Sequence, residues 1–498
     1  MRVKNVAAAL ALLAFSAAPA AAEKITASPQ DHDEFGSNRS KLINVIDANI
    51  LARDSREKPV TTFSHPALGD ITILRPSSGQ VKSVAFFFSG EKGWDQTTTT
   101  MAGELTDADT LVLGIDTAVL TKNLGSYGKS CLYLAGVLQE EARAIEKQLA
   151  LKDYIEPMVV GYSAGSTYAY AAVAGSPPNT FKGGVALSYC TDVKAVHALC
   201  KGVNFPATPA GSAPSAATGL TAPFTVLQGA DDSACAPDKA HALFKDMNGA
   251  TVVDLPNVGH DFSKPDDYQP QLIDEYWAIA GTDLGFKPVA TDALADLPIT
   301  EIRDKDATES DTFAIFLSGD GGWADLDDGV SQELAKRGIP VVGMSSLKYF
   351  WAARTPDGLA DDIGRIAEYY LLQWNKKKFI LVGYSFGADV MPFAANRLGA
   401  DVSPALAGMA LLGSSHNASF EFHVADWLGS DDDGPETKPE IEKLAPLPVL
   451  CIHGEDEKES VCPDLASSGV TDLKLEGGHH LGGSFDTVAA AIAKIVAK

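Results

Sequence analysis

"LVGYSFGAD", residues 381–389, sets a serine between two glycines directly after an apolar run. A G-x-S-x-G pattern between a strand and a helix is typical of a nucleophilic serine on a sharp turn. Side chains at Gly383 and Gly387 would collide with the neighbouring strand and helix. We therefore predict that Ser385 is a nucleophile. The alternative is a small residue that only fits a tight turn.

A second copy of the pattern, "VVGYSAGST" at residues 159–167, places Ser163 in an equivalent setting. Other landmarks also occur twice in the same order, with similar spacing. "SGEKGW" at 89–94 corresponds to "SGDGGW" at 318–323, and a G-x-D and a G-H follow each serine. Several shared landmarks in one order indicate an internal duplication. Ser163 is therefore a candidate for a second site.

The arrangement of apolar runs predicts the fold class. Short apolar runs bounded by Gly, Pro, Asp or Asn alternate with helical patterns, such as residues 131–150 and 357–374. This alternation predicts parallel sheets with helices on both faces. We expect an α/β protein with two tandem domains, at residues 23–285 and 296–498.

The first 22 residues differ from the rest of the chain. They have a basic start, an apolar stretch and a small-residue end, which is typical of a secretory signal peptide. The alternative, a membrane anchor, would need an apolar run of about 20 residues. We expect cleavage after residue 22 and export of the mature protein.

The net charge and the cysteines indicate which partners and which covalent links to expect. A formal net charge of −25 disfavours nucleic-acid partners. An even number of cysteines in an exported chain favours disulfides, and no spacing indicates a metal site or a cofactor. Cys451 and Cys462 flank one loop and are expected to pair. The pairing of the other four cysteines stays open; they are Cys131, Cys190, Cys200 and Cys235. Cys190 or Cys200 is considered as the partner of Cys235.

A nucleophilic serine needs a base and an acid, which in this fold follow it in the order acid, then histidine. In the second half, "CIHGEDE" offers Glu455 and Asp456, and we choose Asp456. "GGHHLGG" offers His479, which we prefer, and His480 as the alternative base. In the first half the corresponding residues are Asp231 and His260.

An oxyanion hole requires two backbone N–H donors. One is expected from Phe386, directly after the nucleophile, and the other from Asp320 or Gly321 in the "SGDGGW" loop. In the first half Ala164 takes the first role. Lys92 replaces a glycine in its loop, which favours an altered or inactive first copy.

The motifs together resemble the AcvB/VirJ family of exported bacterial proteins, within the α/β-hydrolase superfamily. The resemblance rests on "FLSGDGGWADLD", "LVGYSFGADVMPF", "CIHGEDEKESVCP" and "GGHHLGG", and the two-copy layout is similar to the longer AcvB form. It implies a periplasmic hydrolase of aminoacyl-phosphatidylglycerol, notably the lysyl form, that uses Ser385, Asp456 and His479. It also implies a link to virulence and to type IV secretion components.

An aminoacyl lipid would bring a cationic amine to the site. Asp389 is a candidate to receive it, as are Asp320, Asp361 and Asp362, although helix caps or surface charges are the alternative roles for these acids. Two other functions remain open: another esterase or thioesterase, or a non-catalytic binding protein for secretion components.

Overall fold

The computed structural model describes residues 61–128, 131–191, 199–200, 217, 219–281, 293–308, 310–422 and 434–496. The expected signal peptide, residues 1–22, lies outside the described residues, as does most of the expected boundary between the domains. The limits of the two domains therefore stay predictions. Among the described helices, none is both long enough and apolar enough to span a bilayer.

Within the described residues, the N-terminal half forms an eight-stranded sheet in the order β1-β2-β4-β3-β5-β6-β7-β8. Pairing is parallel except that β2 runs antiparallel to both β1 and β4. The strands are β1 (Thr61–His65), β2 (Gly69–Leu74), β3 (Ser83–Phe88), β4 (Thr110–Ile115), β5 (Met158–Tyr162), β6 (Gly183–Leu187), β7 (Gly219–Gly229) and β8 (Asn248–Leu255).

The C-terminal half repeats this plan. Its described residues form a seven-stranded sheet in the order β15-β14-β13-β12-β10-β11-β9, parallel except at β9. The strands are β9 (Ile299–Ile302), β10 (Thr312–Leu317), β11 (Val341–Met344), β12 (Lys378–Tyr384), β13 (Leu406–Leu412), β14 (Val449–Gly454) and β15 (Thr471–Leu475). The expected fold class, two tandem and mostly parallel α/β-hydrolase-like sheets, is confirmed.

Helices cover both faces of each sheet. Those of the N-terminal half are α1 (Gln96–Asp107), α2 (Thr117–Leu124), α3 (Leu134–Gln148), α4 (Ala164–Ala174), α5 (Pro237–Phe244) and α6 (Gln269–Ala280). Those of the C-terminal half are α7 (Asp325–Lys336), α8 (Ser346–Tyr349), α9 (Pro356–Gln373), α10 (Phe386–Ala395), α11 (Thr437–Glu442) and α12 (Phe485–Val496).

Each central strand is buried on both sides. In β10, Phe313, Ile315 and Leu317 pack into the core on one face, and Ala314 and Phe316 pack into the core on the other. Side chains alternate between the faces of a strand, so a continuous apolar run belongs to a strand that helices cover on both sides. Because this burial holds the strands in place, it also fixes the positions of their ends. The turns that carry the polar residues begin at these ends.

All six cysteines lie in the described residues and form disulfides. Cys451 pairs with Cys462, as expected, and the two bonds of the N-terminal half join Cys131 to Cys200 and Cys190 to Cys235. Of the two partners considered for Cys235, the structure selects Cys190.

Candidate active site

Ser385 occupies a strained turn between β12 and α10. Its φ angle is 51°, in the left-handed region that side chains rarely adopt. A Cβ at Gly383 would lie 2.5 Å from the carbonyl oxygen of Gly387, and one at Gly387 would lie 2.4 Å from that of Leu317. Both glycines are therefore required by close backbone contacts, as the sequence predicts.

The structure brings His479, not His480, to this serine. Nε2 of His479 lies 2.8 Å from Oγ of Ser385. His480 is exposed, and its Nδ1 lies 3.0 Å from the hydroxyl oxygen of Tyr384. Of the two bases that the sequence offered, His479 has the position of a general base.

The prediction that Asp456 is the acid is wrong. Oε1 of Glu457 lies 2.5 Å from Nδ1 of His479, whereas Asp456 is exposed. The turn after β14 closes with a hydrogen bond from the Glu457 N–H to the carbonyl of Gly454. This turn directs the third residue after the strand, rather than the second, towards the imidazole.

The acid and the base shift each other's pKa. Burial alone would lower the pKa of His479, but the hydrogen bond and the charge of Glu457 raise it above its ordinary value. Burial would raise the pKa of Glu457, yet the hydrogen bond from His479 holds it below the usual range. Glu457 is therefore ionised at neutral pH, and it favours the protonated imidazole that forms during catalysis.

The expected oxyanion loop lies against the nucleophile. A Cβ at Gly319 would lie 3.5 Å from Cβ of Ser385, so the loop that contains Asp320 and Gly321 borders the site. The N–H of Gly322 already donates to the carbonyl of Gly319. Phe386 begins α10 directly after Ser385, so its N–H lies at the positive end of a helix. The roles of Asp320, Gly321 and Phe386 as donors stay predictions.

Asp389 does not stand free to receive a substrate amine. It is 9% exposed, and its carboxylate accepts hydrogen bonds from the hydroxyl of Ser414 and from the N–H and hydroxyl of Ser415. Burial raises the pKa of Asp389 to about 7. Because α10 turns this position inwards, Asp389 positions the loop after β13 instead.

The other three candidate acids differ in their surroundings. Asp361 is exposed on α9. Asp362 accepts hydrogen bonds from Tyr349 and from Arg365. The charge of Asp320 raises the pKa of His479, so this carboxylate acts on the site itself.

The N-terminal half contacts the oxyanion loop. Arg143 of α3 is 2% exposed, and its Nη2 donates to the carbonyl of Gly321 at 2.5 Å. On the same helix, Lys147 donates to the carbonyl of Trp351 at 2.5 Å and forms an ion pair with Glu421 at 3.1 Å. The two halves therefore meet beside the candidate site of the second.

Residues 311–498 match the family model of the bacterial virulence protein VirJ. The VirJ match contains the Ser385 turn, the oxyanion loop, Glu457 and His479. It covers the C-terminal half alone, so the resemblance of the whole chain to the two-copy AcvB form stays a proposal.

Other comparisons are limited in extent. A protein-glutamate methylesterase/protein-glutamine glutaminase of Nitrobacter winogradskyi is 50% identical over 44 residues, which is 9% of this chain and 10% of that protein. An esterase domain from Rhodothermus marinus is 18% identical, with a TM-score of 0.30, and covers 42% of this chain and 91% of its own. An α/β serine hydrolase homologue from Coxiella burnetii is 14% identical, with a TM-score of 0.32. The match covers 43% of this chain and 96% of that chain.

The half outside the VirJ match contains a similar group. Ser163 has a φ angle of 54°, and its Oγ lies 3.1 Å from Nε2 of His260. The acid is Asp232 and not Asp231, since Oδ2 of Asp232 lies 3.1 Å from Nδ1 of His260. The hydroxyl of Ser188 contacts both groups: it donates to Oδ2 of Asp232 and lies 2.8 Å from that Nδ1. The correction is the same as in the VirJ-matching half, because the same turn follows the strand.

Four functional positions were missed from the sequence. The acid of each half lies one residue after the predicted one, and "GEDE" contained Glu457 as a third carboxylate that was not weighed. Ser188 carries no motif. Arg143 lies in an ordinary amphipathic helix of the other half, so no local pattern could have indicated its contact with the oxyanion loop.

Proposed function

We propose that the C-terminal half is a periplasmic serine hydrolase that cleaves the aminoacyl ester of aminoacyl-phosphatidylglycerol, with the lysyl form as preferred substrate. The observation that carries the proposal is the continuous chain from Ser385 through His479 to Glu457. The fold is that of an α/β serine hydrolase, and the three disulfides suit an oxidising compartment.

The mechanism follows from the three side chains. Glu457 accepts the Nδ1 proton of His479 in a hydrogen bond, which leaves Nε2 to take the proton of Ser385. Oγ of Ser385 then bonds to the aminoacyl carbonyl carbon. The bond between that carbon and the glycerol oxygen breaks as His479 passes the proton to the glycerol oxygen. Water, deprotonated by His479, next attacks the aminoacyl-serine and releases the amino acid.

The charge around the site supports an aminoacyl substrate. The charges of Asp320 and Asp389 both act on His479 in the direction that favours a cation. The ammonium group of an aminoacyl ester lies one carbon from the reacting carbonyl, so it would enter this negative field.

Apolar surface beside the serine supports a lipid leaving group. The half-buried ring of Phe386 packs on Phe350 with 4.9 Å between the ring centroids, and the half-buried ring of Phe420 lies 6.3 Å from that of Phe350. Such rings suit the glycerol and the first carbons of an acyl chain.

The test is the release of lysine from lysyl-phosphatidylglycerol vesicles by the full chain and by its Ser385→Ala variant. We expect the variant to lose at least about 10³-fold in kcat/KM, while its thermal unfolding stays that of the unmodified protein. Unchanged release by Ser385→Ala would overturn the proposal. Faster cleavage of simple acyl or thioesters than of any aminoacyl lipid would instead favour a general esterase.

Partners are proposed on the same basis. A non-catalytic role with type IV secretion components predicts that Ser385→Ala retains the secretion phenotype. A hydrolytic role predicts that the phenotype falls together with lipid turnover.

A further inference from the structure

We propose that the N-terminal half contains a second serine hydrolase site, formed by Ser163, His260 and Asp232. Its substrates would be esters of short, uncharged acyl groups. The family match begins at residue 311, after this half, and the proposal for Ser385 does not depend on the second site. Its support is the local geometry around Ser163.

The nucleophile turn is built as tightly here as in the C-terminal half. The backbone of Ser163 has φ 54° and ψ −123°, against 51° and −120° for Ser385. A Cβ at Gly161 would lie 2.3 Å from the carbonyl of Gly165, and one at Gly165 would lie 2.3 Å from that of Ser89. A serine that serves only in packing does not require this strained conformation.

Asp232 is fixed for its role. It is 3% exposed, and its Oδ1 accepts hydrogen bonds from the N–H groups of Ala234 at 2.9 Å and Cys235 at 2.8 Å. Its Oδ2 faces Nδ1 of His260 at 3.1 Å. These bonds orient the carboxylate, which in turn holds the imidazole with Nε2 towards Ser163.

Ser188 makes up for the shorter acid. It occupies the first position after β6, where the C-terminal half has Gly413 after β13, and both residues have positive φ. Its hydroxyl donates to Asp232 and lies 2.8 Å from Nδ1 of His260. Aspartate is one methylene shorter than glutamate, and the added hydroxyl bonds to both the acid and the base, which also contact each other directly at 3.1 Å.

The oxyanion side is also in place. A Cβ at Gly90 would lie 3.7 Å from Cβ of Ser163, close to the 3.5 Å between Gly319 and Ser385. Lys92, which replaces a glycine of this loop, is exposed. The N–H of Gly93 donates to the carbonyl of Gly90, as the N–H of Gly322 donates to that of Gly319, and the expectation that Lys92 alters the first copy stays a prediction.

The residues beside Ser163 indicate which kind of acyl group the site can accept. The Cys190–Cys235 disulfide borders the nucleophile, with Sγ of Cys190 3.7 Å from Oγ of Ser163. Four residues after the nucleophile stands Thr167, whose hydroxyl donates to the carbonyl of Cys190, whereas the C-terminal half has Asp389. Of the described residues, those that replace Asp389 and flank Ser163 on this side therefore present sulfur and a hydroxyl group but no charge.

The low exposure of the nucleophile limits the substrate further. Ser163 is 7% exposed, whereas Ser385 is half-buried. A bulky acyl group would meet the disulfide, and the hydroxyl of Thr167 offers no charge to pair with a charged acyl group. Short, neutral acyl groups remain.

The reaction balances without a cofactor. Oγ of Ser163 bonds to the ester carbonyl carbon as its proton passes to Nε2 of His260, and the bond to the alcohol oxygen breaks as that oxygen takes the proton. Water then adds to the acyl-serine, giving a proton to His260, which returns it to Ser163. The products are one carboxylic acid and one alcohol.

The experiment uses the full chain with Ser385→Ala, so that the C-terminal site is silent. The substrates are p-nitrophenyl acetate and p-nitrophenyl decanoate, and a fluorophosphonate probe with peptide mapping identifies the reactive serine. The control is the double variant Ser385→Ala/Ser163→Ala, and thermal unfolding checks that both fold.

We expect Ser385→Ala to hydrolyse the acetate, to label at Ser163 and to cleave the decanoate at least about tenfold more slowly. The double variant should lose label and at least about 10³-fold in kcat/KM. A folded Ser385→Ala protein that is no faster than the double variant, or that labels elsewhere, overturns the second site. Equal rates for acetate and decanoate overturn its assigned substrate class.

A second variant separates chemistry from packing. Asp232→Asn in the Ser385→Ala background keeps the size of the side chain but removes its charge. We expect a loss of about 10³-fold or more in acetate hydrolysis with a similar unfolding temperature. Full activity in a folded Asp232→Asn protein would contradict the proposal.

Discussion

Oε1 of Glu457 lies 2.5 Å from Nδ1 of His479. A neutral amide in place of this carboxylate would still fill the space, but it would not stabilise the imidazolium. We expect Glu457→Gln to lower kcat/KM for ester hydrolysis by about 10³-fold or more. The measurement is steady-state hydrolysis in the Ser163→Ala background, so that only the C-terminal site contributes.

Asp456→Asn is the matched control, since Asp456 is the exposed neighbour of Glu457. It removes one negative charge from the same turn without touching the imidazole. We expect its kcat/KM to stay within about threefold of the unmodified protein. A larger loss for Asp456→Asn than for Glu457→Gln would return the acid to the residue that the sequence favoured.

The pH dependence of hydrolysis should report His479. The imidazole must be neutral to accept the proton of Ser385, and the hydrogen bond and charge of Glu457 raise its pKa above the ordinary value of 6.5. We expect kcat/KM to rise with pH through an apparent pKa above 6.5 and then to level off. In Glu457→Gln the hydrogen bond to a carboxylate and its charge are lost, while burial and the charges of Asp320 and Asp389 still act on the imidazole, so this limb should move to lower pH. An unmoved limb would contradict the coupling.

Gly413 provides the space in which Glu457 and His479 meet. A Cβ there would lie 2.8 Å from Cε1 of His479 and 3.2 Å from Oε1 of Glu457, at a positive φ of 60°. We expect Gly413→Ser to displace the imidazole and to lower kcat/KM by about 10²-fold. Gly364→Ser, at an open position on α9, is the control and should leave hydrolysis unchanged.

The N-terminal half shows how this loss could be offset. There Ser188 and Asp232 occupy the positions of Gly413 and Glu457. We therefore expect Gly413→Ser combined with Glu457→Asp to be more active than either single variant. Additive losses in the double variant would show that the two positions are not coupled.

Arg143 positions the oxyanion loop from the other half, through its bond to the carbonyl of Gly321. We expect Arg143→Ala to lower kcat at the C-terminal site about tenfold, with KM within about twofold. Arg143→Lys should recover part of kcat, because the charge remains although the fork geometry is lost.

Lys147→Ala is the control for docking of the two halves. Lys147 lies on the same helix and contacts Trp351 and Glu421 rather than the oxyanion loop. An equal loss of kcat in Lys147→Ala and Arg143→Ala would show that general docking, and not the bond to Gly321, sets the activity.

The sequence could predict those features that depend on short-range patterns. Continuous apolar runs identified the buried strands, because a strand covered on both faces has no polar side. The glycines around Ser385 indicated the strained turn, because only glycine avoids the contacts that the turn imposes. The pair of Cys451 and Cys462 followed from their closeness along the chain.

The choice between neighbours was beyond the sequence. Glu455, Asp456 and Glu457 are all carboxylates on one turn, and the turn's hydrogen bond decides which side chain faces inwards. The assignment of Asp389 to the substrate amine failed for a similar reason. Its direction depends on how α10 packs against the loop after β13, where Ser414 and Ser415 take up its oxygens.

The sequence by itself determined the two-copy α/β plan, both G-x-S-x-G turns and His260, and it limited the second base to His479 or His480, since these rest on periodicity and on residues that few conformations accept. The tertiary structure alone decided which acid meets each histidine, which cysteines pair in the first half, and that Arg143 reaches Gly321. Those contacts join segments far apart in the chain or select among adjacent side chains, and only the packed sheet and its turns fix their directions.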